Sequence, residues 1–183
     1  MLAFWKPYKR KTKRDQAMHW LLLMDLDGTL WDHKDISQVE PPYFLLKEGI
    51  LSNEKGTTVR LYREAVDFVK WCKTKGAVTS TLSWNVERNA RLALNTFGVD
   101  SLFDEHAIDY PTDKAELLLK VLQRLKNKGI VIHPRNIVYV DDRKIHIERI
   151  KNKVGEVIFV NIWGDVANYE EAKKLVQKAI FGG

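Results

Sequence analysis

At 183 residues, 45% hydrophobic and 30% charged, the chain fits one globular domain, and its six Trp, six Tyr and seven Phe exclude disorder of the whole. Its single cysteine, Cys72, excludes a disulfide framework and points to a reducing, cytoplasmic compartment, while its longest apolar run, residues 20–24, is far short of the roughly 20 residues of a membrane span. The net charge of +6 sits at one end, because residues 1–14 hold Lys6, Lys9, Arg10, Lys11, Lys13 and Arg14 and no acid, which leaves the remainder formally neutral.

Residues 1–17 therefore read as a basic tail ahead of a domain over 18–183. Phe4, Trp5 and Tyr8 stand among the charges. That mixture suits nucleic acid or an anionic membrane surface, and equally a solvated extension or one that docks on its own domain. No apolar stretch of a secretory signal precedes the domain. Residues 20–26 are continuously apolar up to Asp25, as in a strand covered on both faces. Residues 64–75 read as a helix, with Ala65, Phe68, Val69 and Cys72 at helical spacing and Gly76 as its stop. A short strand over 77–82 follows, then a helix over 86–97 ended by Gly98. Residues 105–109 read as a weak strand. Thr112 or Asp113 caps a helix running to about residue 128, whose buried face is Leu117, Leu118, Val121, Leu122 and Leu125. A strand over 137–140, a helix over 144–151, a fifth strand over 157–160 and a closing helix over 169–180 complete the chain. This alternation predicts right-handed βαβ units, hence a doubly wound, Rossmann-like α/β fold: a parallel sheet with helices on both faces.

In such sheets ligands bind beyond the carboxyl ends of the strands. The chemically active residues here follow strand ends. Asp25 and Asp27 close the first strand, within the segment Leu22-Leu23-Met24-Asp25-Leu26-Asp27-Gly28-Thr29-Leu30. Ser83 follows the second, Lys114 begins the helix after the third, and Asp141-Asp142 close the fourth. Acids at the end of a buried strand are costly unless paired or metal-bound. Converging carboxylates make a site for a hard cation such as Mg²⁺, with coordination positions left for phosphate oxygens. Lys114 can balance surplus negative charge. Ser83 offers a hydroxyl to an anion beside a helix N-terminus.

Taken in order, Asp25-Leu26-Asp27-Gly28-Thr29, Ser83, Lys114 and Asp141-Asp142 resemble the four motifs of the haloacid dehalogenase (HAD) superfamily, over residues 21–164. Trp31, the Pro41-Pro42 loop, Val59-Arg60-Leu61-Tyr62, Tyr110-Pro111 and Val138-Tyr139-Val140-Asp141-Asp142 are similar to the magnesium-dependent phosphatase-1 family within it. That family tends to have Tyr at the position of Gly28 and Arg at that of Trp84, so its substrate preference does not carry over. The resemblance implies a Mg²⁺-dependent phosphomonoester hydrolase, with phosphotyrosine proteins or sugar phosphates as candidate substrates. It implies Asp25 as nucleophile, and Asp27 as general acid and base, with its backbone carbonyl on the metal. It further implies Asp141 as a direct metal ligand, Asp142 as a ligand directly or through water, and Ser83 and Lys114 as holders of the phosphoryl oxygens. An acid at Asp27 argues against the dehalogenase branch. Thr81 is the rival for the hydroxyl role. Ser83 is preferred because β-branched Thr81 suits the strand itself.

Residues 31–60 are too few for a separate cap domain and are expected to form a small flap or hairpin, with turns at Pro41-Pro42 and at 53–56. The site is then open to small phosphates or phosphoproteins. Gly28, Trp84, Asn85 and Arg143 are candidate substrate contacts, as are His33 and Arg60 in the flap. Tyr43 and Phe44 are expected to fill the flap's own core, and Trp31 to pack the first loop. His146 is expected at a helix surface, and Trp163 and Asp165 away from the centre. Two further functions fit the residues: a phosphoryl or acyl transferase domain serving a carrier protein, and a nucleic-acid-associated phosphatase recruited by the tail.

Overall fold

The structure is a computed structural model that describes residues 19–182. The basic tail over 1–17, with the nucleic-acid expectation attached to it, lies outside the described residues. Four parallel strands form the main sheet: β1 (Trp20–Met24), β5 (Ala77–Thr81), β6 (Ile137–Asp141) and β7 (Ile158–Asn161), in the order β5-β1-β6-β7. Between β1 and β5 lies a separate antiparallel sheet of β2 (Tyr43–Lys47), β3 (Ile50–Asn53) and β4 (Thr58–Arg60), in that order. The helices are α1 (Arg63–Thr74), α2 (Glu87–Thr96), α3 (Lys114–Asn127), α4 (Ile147–Val154) and α5 (Tyr169–Phe181).

The continuous apolar run of β1 is explained by its place. It pairs with β5 on one side and β6 on the other, and all five of its residues are buried. Successive side chains of a strand point to opposite faces. Trp20, Leu22 and Met24 accordingly join the core under α1, α2 and α5, with Phe68, Cys72, Ala93 and Val176. Leu21 and Leu23 join the other core, under α3 and α4, with Leu118, Val121 and Ile150. One strand thus nucleates two hydrophobic layers, which is what makes the sheet doubly wound. Among the described residues no helix is long and apolar enough to cross a membrane.

The helices follow the expected punctuation. Asp113, not Thr112, caps α3 by accepting the N–H of Ala115 at 2.9 Å. Gly76 and Gly98 stop α1 and α2 in the left-handed region, at φ 82° and 71°, where a glycine carries no Cβ penalty. The fourth helix lies later than expected, over Ile147–Val154 rather than 144–151, because residues 142–146 make the loop that leaves β6.

The expected strand over 105–109 does not form. It is reduced to isolated bridges, Ser80 with Glu105 and Ser83 with Ile108. The reason is local. The Thr81 hydroxyl accepts the Ala107 N–H at 3.1 Å and so takes a place in the ladder that a backbone carbonyl would fill. The Glu105 carboxylate is meanwhile drawn aside by Arg124 at 2.7 Å and Lys128 at 2.5 Å. The flap also differs in detail. Its β2–β3 turn falls at Glu48-Gly49, with Gly49 at φ 73°, and not at Pro41-Pro42, whereas the turn over 53–56 is present. Tyr43 packs against the main core, its hydroxyl donating to the Val39 carbonyl at 2.6 Å, but Phe44 is 45% exposed and fills no core.

Candidate active site

The carboxyl ends of β1, β5 and β6 place the site. Backbone bonds hold the strand ends level: Asp25 N–H donates to the Val140 carbonyl at 3.0 Å, and Leu82 N–H to the Met24 carbonyl at 2.8 Å. Lys114, the first residue of α3, enters from the layer below and is fully buried. Its ammonium donates to Asp25 Oδ1 at 2.7 Å, to Asp141 Oδ2 at 2.6 Å and to the Tyr139 hydroxyl at 3.3 Å. Tyr139 lies two residues before Asp141, on the same face of β6, and its hydroxyl also donates to Asp141 Oδ2. Asp25, Asp141 and Asp142 each bring one carboxylate oxygen to within 4.8 Å of the others.

Burial and charge divide the acids. Burial drives the Asp25 carboxyl up to about 7, and the neighbouring Asp141 charge adds to this against the pull of Lys114. Burial also opposes ionisation of Asp141, but the Lys114 charge and the hydrogen bonds from Lys114, Tyr139 and the Arg143 N–H outweigh it and hold its carboxyl below the usual range. Burial alone would discharge Lys114, yet the two carboxylates more than compensate and keep it an ammonium. Asp142 is half-buried. Burial and then Asp141 push it up, and its Oδ1 is enclosed without a hydrogen-bond partner.

Asp27 sits apart from this cluster. Its Oδ1 accepts from the Trp31 indole N–H at 2.6 Å and from the Ile36 N–H at 3.0 Å, and its Oδ2 accepts from the Asn85 amide at 2.5 Å. Burial pushes its carboxyl up to about 6, against those hydrogen bonds. With three donors on it, the Asp27 side chain stays out of the oxygen cluster, and of the expected metal role only its backbone carbonyl remains.

The other expected residues separate. Ser83 is buried where the loop leaves β5, its backbone pinned by Ala107 and Asp109. The Thr81 hydroxyl accepts the Ala107 N–H at 3.1 Å and is thereby held toward the segment over 105–109. Asn85, expected as a substrate contact, is instead 2% exposed and turns its amide to Asp27. Trp84 is 39% exposed and packs on Tyr110, with ring centroids 4.9 Å apart. Arg143 turns its backbone N–H to Asp141 Oδ1 at 2.8 Å, while its side-chain Nε lies 3.7 Å from Asp142. Gly28 has φ 71°, and a Cβ there would meet Asp142 Oδ2 at 2.6 Å, so a side chain at this position would displace that carboxylate.

Sequence reasoning placed Trp163 wrongly and Thr29 not at all. Trp163 is at the first loop, not away from it: its indole N–H donates to the Gly28 carbonyl at 2.9 Å. Its own φ of 64° is rare for a bulky residue, and that bond to the loop is what the strained turn secures. Thr29 links the two acidic strand ends by accepting the Asp142 N–H at 3.1 Å. Its place in the Asp25–Thr29 motif was the available signal. His146 is half-buried and precedes α4 rather than lying within it, against Trp84, with Nε2 enclosed and unpartnered, and burial followed by the Lys114 charge pushes it down to about 4.

No protein-family model matches the chain. It is 28% identical over 125 residues to magnesium-dependent phosphatase 1 of Homo sapiens, a match covering 68% of each protein. Among solved structures, a HAD-superfamily hydrolase of Ehrlichia chaffeensis superposes with a TM-score of 0.59 at 12% identity, covering 90% of this chain and 100% of that one. A predicted phosphoglycolate phosphatase of Haemophilus somnus gives 0.58 at 15% identity, covering 88% and 100%. The N-terminal part of a Bacteroides fragilis protein, containing a phosphatase domain complexed with Mg, gives 0.56 at 18% identity; the match covers 87% of this chain but only 40% of that one. These superpositions establish that the chain has the HAD fold, and its sequence resembles the magnesium-dependent phosphatase-1 family.

Proposed function

We propose that this chain is a Mg²⁺-dependent phosphomonoester hydrolase that works through an aspartyl-phosphate on Asp25. The observation that carries the reading is the set of buried Asp25 and Asp141 with half-buried Asp142, gathered within 4.8 Å beside the Lys114 ammonium. Similarity to a relative named magnesium-dependent phosphatase 1 supports it. The donor set consists of carboxylate oxygens alone, as a hard cation requires, and Asp142 Oδ1, enclosed without a hydrogen bond and with Arg143 Nε no nearer than 3.7 Å, is an atom that such a cation would satisfy. Asp25, Asp141 and Asp142 would hold the ion, with the Asp27 carbonyl. When bound, Mg²⁺ supplies charge neutralisation for the phosphoryl oxygens.

The chain's own groups do the rest. The Asp25 carboxylate attacks phosphorus, forming an O–P bond as the bond to the leaving oxygen breaks. Asp27 gives its proton to that oxygen and later takes one from the water that cleaves the aspartyl-phosphate. Lys114 holds Asp141 ionised, favours the carboxylate of Asp25 against its burial and, with the Ser83 hydroxyl, holds the transferring group. The substrate is a phosphomonoester. The exposed Trp84–Tyr110 pair beside Ser83 is a candidate contact for its leaving group.

Phosphate release from sugar phosphates, nucleotides and phosphotyrosine peptides, with Mg²⁺ and after EDTA, tests the reading. Turnover is expected only with the metal. Asp25→Asn is expected to abolish both turnover and the mass shift of a phosphoenzyme. Full activity in metal-stripped protein overturns the proposal.

A further inference from the structure

We infer that Trp31 and Asn85 are positioning residues that fix the Asp27 carboxyl, so that one lone pair, on Oδ2, is left to exchange the proton of the reaction. The inference rests on the function proposed above. A carboxylate has about four acceptor sites, two on each oxygen. On Asp27, Oδ1 is filled by the Trp31 indole N–H at 2.6 Å and the Ile36 N–H at 3.0 Å. Among the described residues Oδ2 carries only the Asn85 amide, at 2.5 Å. The remaining acceptor site, and hence the proton when there is one, belongs to Oδ2.

The donors are themselves held. The Asn85 carbonyl accepts the Val86 N–H at 2.9 Å, so the amide must turn its NH₂ toward Asp27. The Trp31 ring is fully buried and stacks on Phe97, with centroids 6.1 Å apart and planes at 28°. Ile36 is the first residue of a 3₁₀ turn capped by the Asp35 side chain, which accepts the Ser37 N–H at 3.0 Å. The three donors come from two separate segments: Trp31 and Ile36 from the start of the flap, and Asn85 from the loop after β5. All three residues are at most 2% exposed, so none of them serves as an open substrate contact. A carboxyl free to rotate would offer either oxygen. This one offers a single atom in a fixed direction, and proton transfer demands placement to within about 0.5 Å.

Two substrates separate positioning from packing. An alkyl phosphate needs its leaving oxygen protonated, whereas dinitrophenyl phosphate does not. Trp31→Phe keeps an aromatic ring, though a smaller one, and removes the N–H, and Asn85→Ala removes the amide. Each is expected to lower kcat for the alkyl phosphate about 10–100-fold, below the 10²–10⁴-fold typical of losing general acid–base catalysis altogether. KM is expected to stay within about two-fold, and the dinitrophenol burst within about three-fold of wild type. Equal losses on both substrates, or none on either, overturn the inference. Wild-type protein without Mg²⁺-dependent turnover would instead sink the proposed function. If wild type and Asp27→Asn behave as proposed while the Trp31 and Asn85 variants match wild type, the inference alone fails. A readout without turnover covers variants that do not fold. The Trp31 indole ¹H resonance is expected far downfield in wild type and shifted upfield in Asp27→Asn, and an unmoved resonance refutes the contact.

Discussion

Replacing Lys114 by Met tests the charge balance at the centre of the site. Met keeps most of the apolar stem and its volume, so the change removes the charge more than the packing. Lys114 is wholly buried between Asp25 at 2.7 Å and Asp141 at 2.6 Å, and breaking a buried ion pair by deleting one partner typically costs about 3–5 kcal/mol. The carboxyls have one escape, which is to take up protons. Asp25 already stands at about 7 with Lys114 in place. Without the ammonium its carboxyl moves further up, and Asp141 loses what holds it down. A carboxyl whose folded pKa exceeds its unfolded value of about 3.9 binds protons preferentially in the folded state. Stability then falls as pH rises through the window between the two values. The deficit of Lys114→Met is therefore expected to be small at pH 5 and to approach 3–5 kcal/mol by pH 8. At about 2–4 °C per kcal/mol for a domain of this size, that is a Tm loss of roughly 6–20 °C. Thermal melts followed by circular dichroism in EDTA at the two pH values measure it. A deficit below about 1 kcal/mol at pH 8, or one independent of pH, would refute the reasoning.

Two further predictions separate the remaining roles. Asp27 stands at about 6 because it is buried, and only its protonated form can serve as the acid. The kcat/KM of an alkyl phosphate is thus expected to fall as pH rises through about 6, and Asp27→Asn to lack that limb; a flat wild-type profile rejects Asp27 as the acid. Ser83→Ala is expected to slow turnover by about 2.7–4 kcal/mol of barrier, as the loss of one preorganised donor does. Thr81→Val leaves the Ala107 N–H unpartnered, and is expected to lower stability by about 1–3 kcal/mol with turnover near wild type. Paired kinetics and melts that return the reverse order exchange the two assignments.

The βα alternation was legible because each element carries its own period and stop. The unbroken run of β1 declares a strand with a neighbour on each side and a layer on each face. Gly76 and Gly98 mark helix ends that any residue with a Cβ would strain. The acids and Lys114 were legible for a related reason: charges at the ends of buried strands have few explanations besides one another and a cation. What sequence could not show is where a polar side chain spends its hydrogen bonds. Asn85, next to Trp84 and Ser83, reads as a substrate contact, and only the fold reveals Asp27 across the cleft, 58 residues earlier. Thr81 reads as a strand former, but its hydroxyl breaks the neighbouring ladder and cancels a strand. Trp163 lies 135 residues from Gly28 in sequence and 2.9 Å from its carbonyl in space. No local period encodes that contact, since it is made by the closing of the sheet.

The flap illustrates how an insertion too small to be a lid can still act on the chemistry. Its outer strand β2 leaves Phe44, Leu45 and Leu46 exposed, at 45%, 48% and 61%, so it covers little. Its inner edge does more. The 3₁₀ turn places the Ile36 N–H on Asp27, and Asn89 of α2 approaches the Ser37 and Val39 carbonyls at 3.4 Å each. The flap is thereby tied on one side to the acid and on the other to the helix that follows Ser83. A displacement of the 3₁₀ turn would withdraw the Ile36 donor from Asp27 while leaving the oxygen cluster around Lys114 untouched. In this fold the proposed nucleophile and metal ligands depend on the main sheet, whereas the orientation of the proposed acid depends on the insertion. Changes within residues 31–60 should therefore register first in the dependence of rate on the leaving group, before they register in metal affinity.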